Sequence, residues 1–281
     1  MGLLSDLSLF GFETDDIELY AKKKQKEAAE SETQEQAKVI REEDYLFSKK
    51  YECACCGEEF KALSIRAGKA RPVGQDDDLR PVYESIDPLK YDAIVCPQCG
   101  YAALSRYFKT MMPVQRKKLK EEIMPKFKGM QISEDVYSYD EAIMRYKLVL
   151  LCDVVGMGKN SRKAYTCLKL AWVIRGKLEH EDAVMTPDTK KRLHAEELEC
   201  IQNAYDGYRM AFSSEGFPMS GMDEVTLSYL VAILAFKLGD YRESMQYVAN
   251  ILGNSSVPSR IKNKAIDLKE KIREQVKADH E

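Results

Sequence analysis

From residue 139 onward the apolar side chains recur at helical spacing. Segments 140–155 and 162–178 carry this period on either side of a turn at 156–160. In the second segment Ala164, Cys167, Leu168, Ala171, Arg175 and Leu178 share one largely apolar face. Thr186-Pro187-Asp188 marks another helix start, because threonine caps well and proline lacks only an N–H that the first turn leaves unused. Leu193, Leu198, Ile201, Tyr205, Tyr208 and Phe212 continue a stripe beyond it, and 213–221 interrupts it.

Segment 228–252 predicts two helices joined at Gly239-Asp240-Tyr241. Ala232 and Ser244 are the small residues where the two would touch, and Val248 and Ile251 fill apolar positions. This pattern resembles one tetratricopeptide repeat. A last helix over 260–276 sets Ile261, Ala265, Leu268, Ile272 and Val276 on one side and charge on the other, as a capping helix does. The remaining helix pairs are less regular, so the pattern predicts a repeat-like bundle rather than a long solenoid.

The first half reads differently. Residues 1–20 hold a short apolar start, with Leu3, Leu4, Leu7 and Phe10 at helical spacing, followed by an acidic stretch. Residues 21–43 lack Gly, Pro and most large apolar side chains, which makes a linker of them. Segments 60–66 and 91–95 read as short strands, and 68–88 reads as loop. Residues 106–128 are strongly basic. Pro113 is placed to open a helix there, with Leu119 and Ile123 on its apolar side. The expected organisation is a tail and linker over 1–43, a zinc-ribbon-like module over 44–105, a basic connecting helix over 106–138 and a tetratricopeptide-like helical domain over 139–281. The fold class is α+β, mainly α.

Composition narrows the picture. A net charge of −3 over 281 residues leaves any polyanion binding to local patches. The start has neither the positive region nor the cleavage site of a secretory leader, and the longest apolar runs, 148–152 and 229–236, are far too short to span a membrane. A cytoplasmic protein is expected, and there paired cysteines point to metal rather than disulfides.

Those cysteines carry the strongest chemistry. Cys53-Ala-Cys-Cys56-Gly57 and Cys96-Pro-Gln-Cys99-Gly100 are two copies of one pattern. Two residues between ligands let both sulfurs of a turn reach one ion, and the following glycine can take positive φ. Cys53, Cys56, Cys96 and Cys99 are therefore the expected ligands of a structural Zn2+. Cys55 falls at the wrong gap and is expected to be a bystander. A catalytic zinc commonly uses His or carboxylate ligands, and no histidine precedes His180. Cys152, Cys167 and Cys200 sit in helical stripes and read as core.

Phe47, the doubled CxxCG, Asp78-Leu-Arg-Pro-Val-Tyr83, Asp87-Pro88-Leu-Lys-Tyr91-Asp92 and Val95-Cys-Pro-Gln-Cys-Gly-Tyr-Ala102 together resemble a bacterial, Firmicutes-type domain family of unknown function. The resemblance implies a two-knuckle cysteine region followed by a tetratricopeptide-like helical half. It brings no activity with it. Ala54-Cys55 departs from the family's usual proline followed by a non-cysteine residue.

Weaker signals complete the set. Gly156-Met-Gly158-Lys159-Asn160 lacks the Gly at 153 and the Ser or Thr at 160 that a phosphate loop requires, so no nucleotide site is expected. Asp76, Asp77 and Asp78 read as a solvated loop, with a candidate polar groove at Asp78, Arg80 and Tyr83. Arg116, Lys117, Lys118 and Lys120 could contact nucleic acid, with Tyr107, Phe108 and Phe127 available to stack on bases. The leading expectation is a non-enzymatic, zinc-binding scaffold whose helical half takes a protein or peptide partner. Nucleic-acid binding is the alternative, and a CxxC thiol redox or chaperone role comes third.

Overall fold

A computed structural model describes residues 41–130 and 133–279. The expected tail and nearly all of the expected linker lie outside the described residues. Three antiparallel strand pairs come first. β1 (Leu46–Glu52) pairs with β2 (Glu59–Ile65), setting Leu46 opposite Ile65 and Tyr51 opposite Phe60. β3 (Pro72–Gln75) pairs with β4 (Pro81–Tyr83), and β5 (Ala93–Val95) with β6 (Ala102–Leu104). The β3–β4 hairpin lies in the stretch expected to be loop. Its strands are short, exposed or half-buried, and bulged between Pro72 and Gly74, so no apolar alternation betrays them. Residues 88–91, ahead of β5, form a 3-10 turn that the Asp87 carboxylate caps by accepting from the Leu89 N–H at 3.0 Å.

Seven helices follow among the described residues: α1 (Pro113–Glu122), α2 (Tyr139–Val155), α3 (Asn160–His180), α4 (Pro187–Phe212), α5 (Glu224–Lys237), α6 (Tyr241–Gly253) and α7 (Ser259–Ala278). The chain is thus α+β and mainly α. Several helix starts carry their own stop on the preceding chain. Ser138, Thr186, Asp223 and Asp240 each accept from the backbone N–H three residues on, which satisfies one of the first-turn donors.

α5 is the central helix of the second half. Leu227 and every residue from Tyr229 to Ala235 are buried, so it is apolar all round rather than amphipathic. α6 packs on it through the small pair expected from the sequence: the Ser244 hydroxyl donates to the Ala232 carbonyl at 2.7 Å, and both residues are fully buried. The α4 stripe needs one correction. Leu193, Ile201, Tyr205 and Tyr208 are buried, but Leu198 is 49 % exposed. Five residues past Leu193 is about 140° round the helix, and Cys200 and Ala204 take the inner positions instead.

One continuous buried cluster runs from Tyr51 through β5, β6 and α2 to Ile272 on α7. The cysteine-bearing hairpins and the helices therefore share a core.

Candidate metal centre

Each cysteine pair occupies the turn of a strand hairpin. In the first, between β1 and β2, the Gly57 N–H donates to the Cys53 carbonyl at 2.8 Å and the Cys53 N–H to Glu58 at 3.0 Å. In the second, between β5 and β6, Gly100 donates to Cys96 at 3.0 Å and Cys96 to Tyr101 at 2.8 Å. Gly57 and Gly100 have φ of 84° and 73°, the left-handed conformation such a turn requires. One local rule, strand–Cys–x–x–Cys–Gly–strand, has folded twice into the same knuckle.

The knuckles face each other. Cys53 Sγ lies 3.6 Å from Cys99 Sγ, and Cys56 Sγ 3.7 Å from Cys96 Sγ. All four sulfurs fall within 4.8 Å of one another. These separations are far beyond a disulfide bond of about 2 Å, and the cysteines are free thiols. The 3.6 and 3.7 Å pairs match the edge of a tetrahedron of sulfurs, about 3.8 Å for metal–sulfur bonds of about 2.3 Å. The four cysteines can hold a metal ion.

The charge on the cluster argues the same way. Hydrogen bonds from the Cys53 and Cys99 thiols hold the Cys96 sulfur below the ordinary thiol range. The bond to Cys96 pushes Cys53 up, and bonds to Cys53 and Cys96 push Cys99 upward as well. Alone, the cluster favours one thiolate and resists the next. A cation at its centre removes that resistance and lets all four sulfurs carry charge.

The sequence matches the family described as "Uncharacterized protein conserved in bacteria (DUF2225)" over residues 46–277. The chain belongs to that family. No curated protein and no solved structure matches it. The matched range takes in both knuckles and most of α7.

Around the centre stand residues that motif reading did not assign. Phe127, just past α1, lies over Gly100, where a β-carbon would come within 2.5 Å of its ring. Cys152, on α2, accepts from the Ala102 N–H at 3.3 Å and approaches the Gly100 carbonyl at 3.6 Å. Its place in an apolar stripe signalled burial but not this tie to the second knuckle. Cys55 is 3 % exposed and lies outside the four-sulfur group.

The acidic run is solvated only in part, with Asp77 exposed, Asp76 half-buried and Asp78 buried. Asp78 is fully buried and pairs with Arg175 on α3 at 2.7 Å and Lys237 on α5 at 3.0 Å. Burial pushes its carboxyl up, but the Arg175 and Lys237 charges outweigh that and hold it at about 2. Asp76 bonds Arg80 and Arg175, and Asp77 pairs with Lys271 on α7. Arg80 also reaches Glu179 at 2.7 Å. Arg80 and the half-buried Tyr83 line a cavity of about 690 Å³ with Asp87, Tyr139 and His180, while Asp78 is sealed beneath its ion pairs.

On α1, Arg116, Lys117 and Lys120 are exposed and Lys118 is half-buried, around the buried Leu119. Arg116 and Lys120 join Lys50 and Lys109 along a cavity of about 530 Å³ beside the first knuckle. Of the aromatic residues expected to stack on bases, Phe108 is fully buried against Tyr101, Tyr51 and Phe60 and so cannot reach one. Its ring closes the core under the hairpins instead. No helix among the described residues is long and apolar enough to cross a membrane.

Proposed function

We propose that this is a non-enzymatic, zinc-stabilised interaction protein. In this reading the four thiolates hold a structural Zn2+ and the helical half binds a protein partner. Zinc suits a closed shell of four thiolates, and such a shell leaves no position for a substrate. The α5–α6 pairing through Ala232 and Ser244 supports a tetratricopeptide-like end to the helical half.

The observation that carries the partner reading lies on α2. Met144, Leu148, Leu151 and Val154 follow one another at helical spacing. Leu148 is half-buried, while Met144, Leu151 and Val154 are 53 %, 47 % and 57 % exposed. Large apolar residues lined up on a helix face are what a partner surface covers.

The test is affinity capture from native lysate with the full chain and a Met144→Glu/Leu151→Glu variant, each checked for folding by circular dichroism. Capture that survives high salt and is lost in the variant supports the reading. Capture unaffected by both changes on α2 rejects it.

The nucleic-acid alternative draws its support from Lys50, Lys109, Arg116 and Lys120 around one cavity beside the first knuckle. Binding to single-stranded RNA or DNA that weakens steeply with salt, and that Arg116→Gln/Lys120→Gln reduces at least tenfold, would favour it over the first. A thiol-exchange role has less support, because a reactive thiol needs access and Cys53, Cys96 and Cys99 are buried.

A further inference from the structure

Two cavities, of about 410 and 760 Å³, are both lined by Met111. The smaller runs along one face of α1, where Pro113, Arg116, Lys117 and Lys120 follow one another at helical spacing. The larger lies between the start of α1, the start of α3 and the turn that follows α4. Met112 and Met157 line it together and are 67 % and 60 % exposed. Methionine is unbranched and polarizable, so it fits itself to varied apolar shapes and recurs at surfaces that accept a partner's side chains.

The charge around these methionines is one-sided. Six lysines and arginines line the two cavities against only Glu121 and Glu215, in a chain whose net charge is −3. Glu215 is already held by the Ser161 N–H and hydroxyl. Arg116, Lys120 and Lys159 are exposed and have no carboxylate partner among the described residues. Arg106 donates to the Ser220 carbonyl, which leaves its charge uncompensated. Elsewhere the cations are taken up: Arg80, Arg175, Lys237 and Lys271 all sit in ion pairs. The surplus calls for an anionic partner, and the methionines call for an apolar one. A nucleic acid would supply the charge, but its bases need flat faces to stack on. Tyr107 is the one aromatic residue lining either cavity, and the Arg162 and Arg106 guanidiniums already lie over its ring, 4.8 and 5.7 Å from the centre. Carboxylates interleaved with aliphatic side chains match both features.

We propose that this surface binds an acidic amphipathic peptide segment of a partner protein. Its apolar side chains settle on Met111, Met112 and Met157, and its carboxylates meet Arg116, Lys120 and Lys159. This goes beyond the reading of α2 and does not depend on it, and it gives Arg116 and Lys120 to a peptide rather than to a nucleic acid. The α2 stripe could fail its own test while this surface passes.

The test uses the full metal-loaded chain and a fluorescent peptide with leucine at helical spacing and glutamate between. Two further peptides replace its glutamates by glutamine or its leucines by serine, and a single-stranded oligothymidylate of similar length is the nucleic-acid probe. Fluorescence anisotropy reads affinity. Isotopic labelling of the methionine methyls, with Met112 and Met157 assigned by substitution to leucine, reads the place. The expected result is saturable binding of the leucine–glutamate peptide that weakens with salt, shifts of the Met112 and Met157 methyl resonances, and at least tenfold weaker binding of the other three probes. Arg116→Gln/Lys120→Gln and Met112→Gln/Met157→Gln should each weaken that peptide at least tenfold. All four side chains are exposed, so circular dichroism should show both variants folded. If the glutamine peptide, the serine peptide or oligothymidylate binds as tightly as the leucine–glutamate peptide, the surface does not read the two features together and the proposal is overturned. No methyl shift at millimolar peptide, or unchanged affinity in the folded methionine variant, overturns it equally.

Discussion

The two knuckles obey the same local rule and are embedded in different ways. The second lies inside the shared core. Cys96 and Cys99 are 0 % and 1 % exposed, Phe127 covers Gly100, and Cys152 on α2 bonds the backbone around it. The first stands at the tip of the longer β1–β2 hairpin. Cys56 is partly exposed, and a β-carbon on Gly57 would meet nothing within 4 Å. Spacing alone makes a knuckle. What surrounds it decides whether the rest of the molecule depends on it. Both knuckles belong to the core that the helices share, but the second is enclosed and the first is open at Cys56 and Gly57.

The largest test of that difference removes ligands in pairs. Cys53→Ser/Cys56→Ser and Cys96→Ser/Cys99→Ser should both abolish stoichiometric metal, measured by elemental analysis of the purified chain. Their effects on the fold should part. The first pair loosens the β1–β2 hairpin, and the helices keep their cooperative melt. The first pair buries one unmatched hydroxyl, at Cys53, and the second buries two, at about 1–3 kcal/mol each, so the melt of the helices should fall further in the second, by about 2–4 °C or more. Equal melting temperatures for the two variants would erase the distinction.

A second fastening should act without the metal. The stretch between the knuckles is anchored by Asp78 to α3 and α5 rather than by sulfur. Asp78→Ala removes the buried partner of Arg175 and Lys237, although Arg175 keeps Asp76 and Glu197, so the loss should be about 1–3 kcal/mol, and metal content should not change. The acid response follows from the depressed carboxyl. Its folded pKa of about 2 lies below the unfolded value of about 3.9. Its stabilisation is therefore present above about pH 4 and lost as pH falls toward 2, a change of roughly 2 kcal/mol. Denaturant midpoints measured between pH 5 and pH 2 should show that loss in the parent and not in Asp78→Ala.

The glycines give the cleanest comparison, since both have positive φ. Gly57→Ala meets only the backbone penalty of about 1–2 kcal/mol. Gly100→Ala adds overlap with the Phe127 ring at 2.5 Å, and overpacking of that kind costs about 1–3 kcal/mol more. Urea unfolding should rank Gly100→Ala as clearly the worse. Adding Phe127→Ala, which removes the two closest of the overlapping atoms, should recover part of the difference for Gly100 and none for Gly57.

Legibility in the sequence followed the range of the interactions. The knuckles are local: two strands, a fixed gap and a glycine, all within a few residues, so the four ligands could be named from spacing. The α2, α3 and α7 helices were legible because their apolar period is long, and α5 because its apolar run stops at the Gly239-Asp240-Tyr241 turn. The role of Asp78 was not, because its partners Arg175 and Lys237 lie far along the chain, and an acidic triplet between turns looks the same whether solvated or docked. Arg175 gave a faint signal, a cation on an otherwise apolar face, which a buried carboxylate would explain. Phe108 misled for the complementary reason. Its basic neighbours suggested a nucleic-acid surface, whereas the core beneath the hairpins claimed its ring.

The finest test concerns neighbours within the first knuckle. Cys55 is 3 % exposed, while the adjacent Cys56 is partly exposed. Burial alone would make Cys55 the more important of the two. The geometry reverses that order, because Cys56 Sγ stands 3.7 Å from Cys96 Sγ and Cys55 is outside the four-sulfur group. Cys55→Ser should keep full metal content and lose about 1 kcal/mol for the poorly matched buried hydroxyl. Cys56→Ser should release the metal. Were Cys55→Ser to lose metal as readily as Cys56→Ser, the two-residue gap would no longer define the first knuckle. Its resemblance to the second would then be one of sequence and not of chemistry.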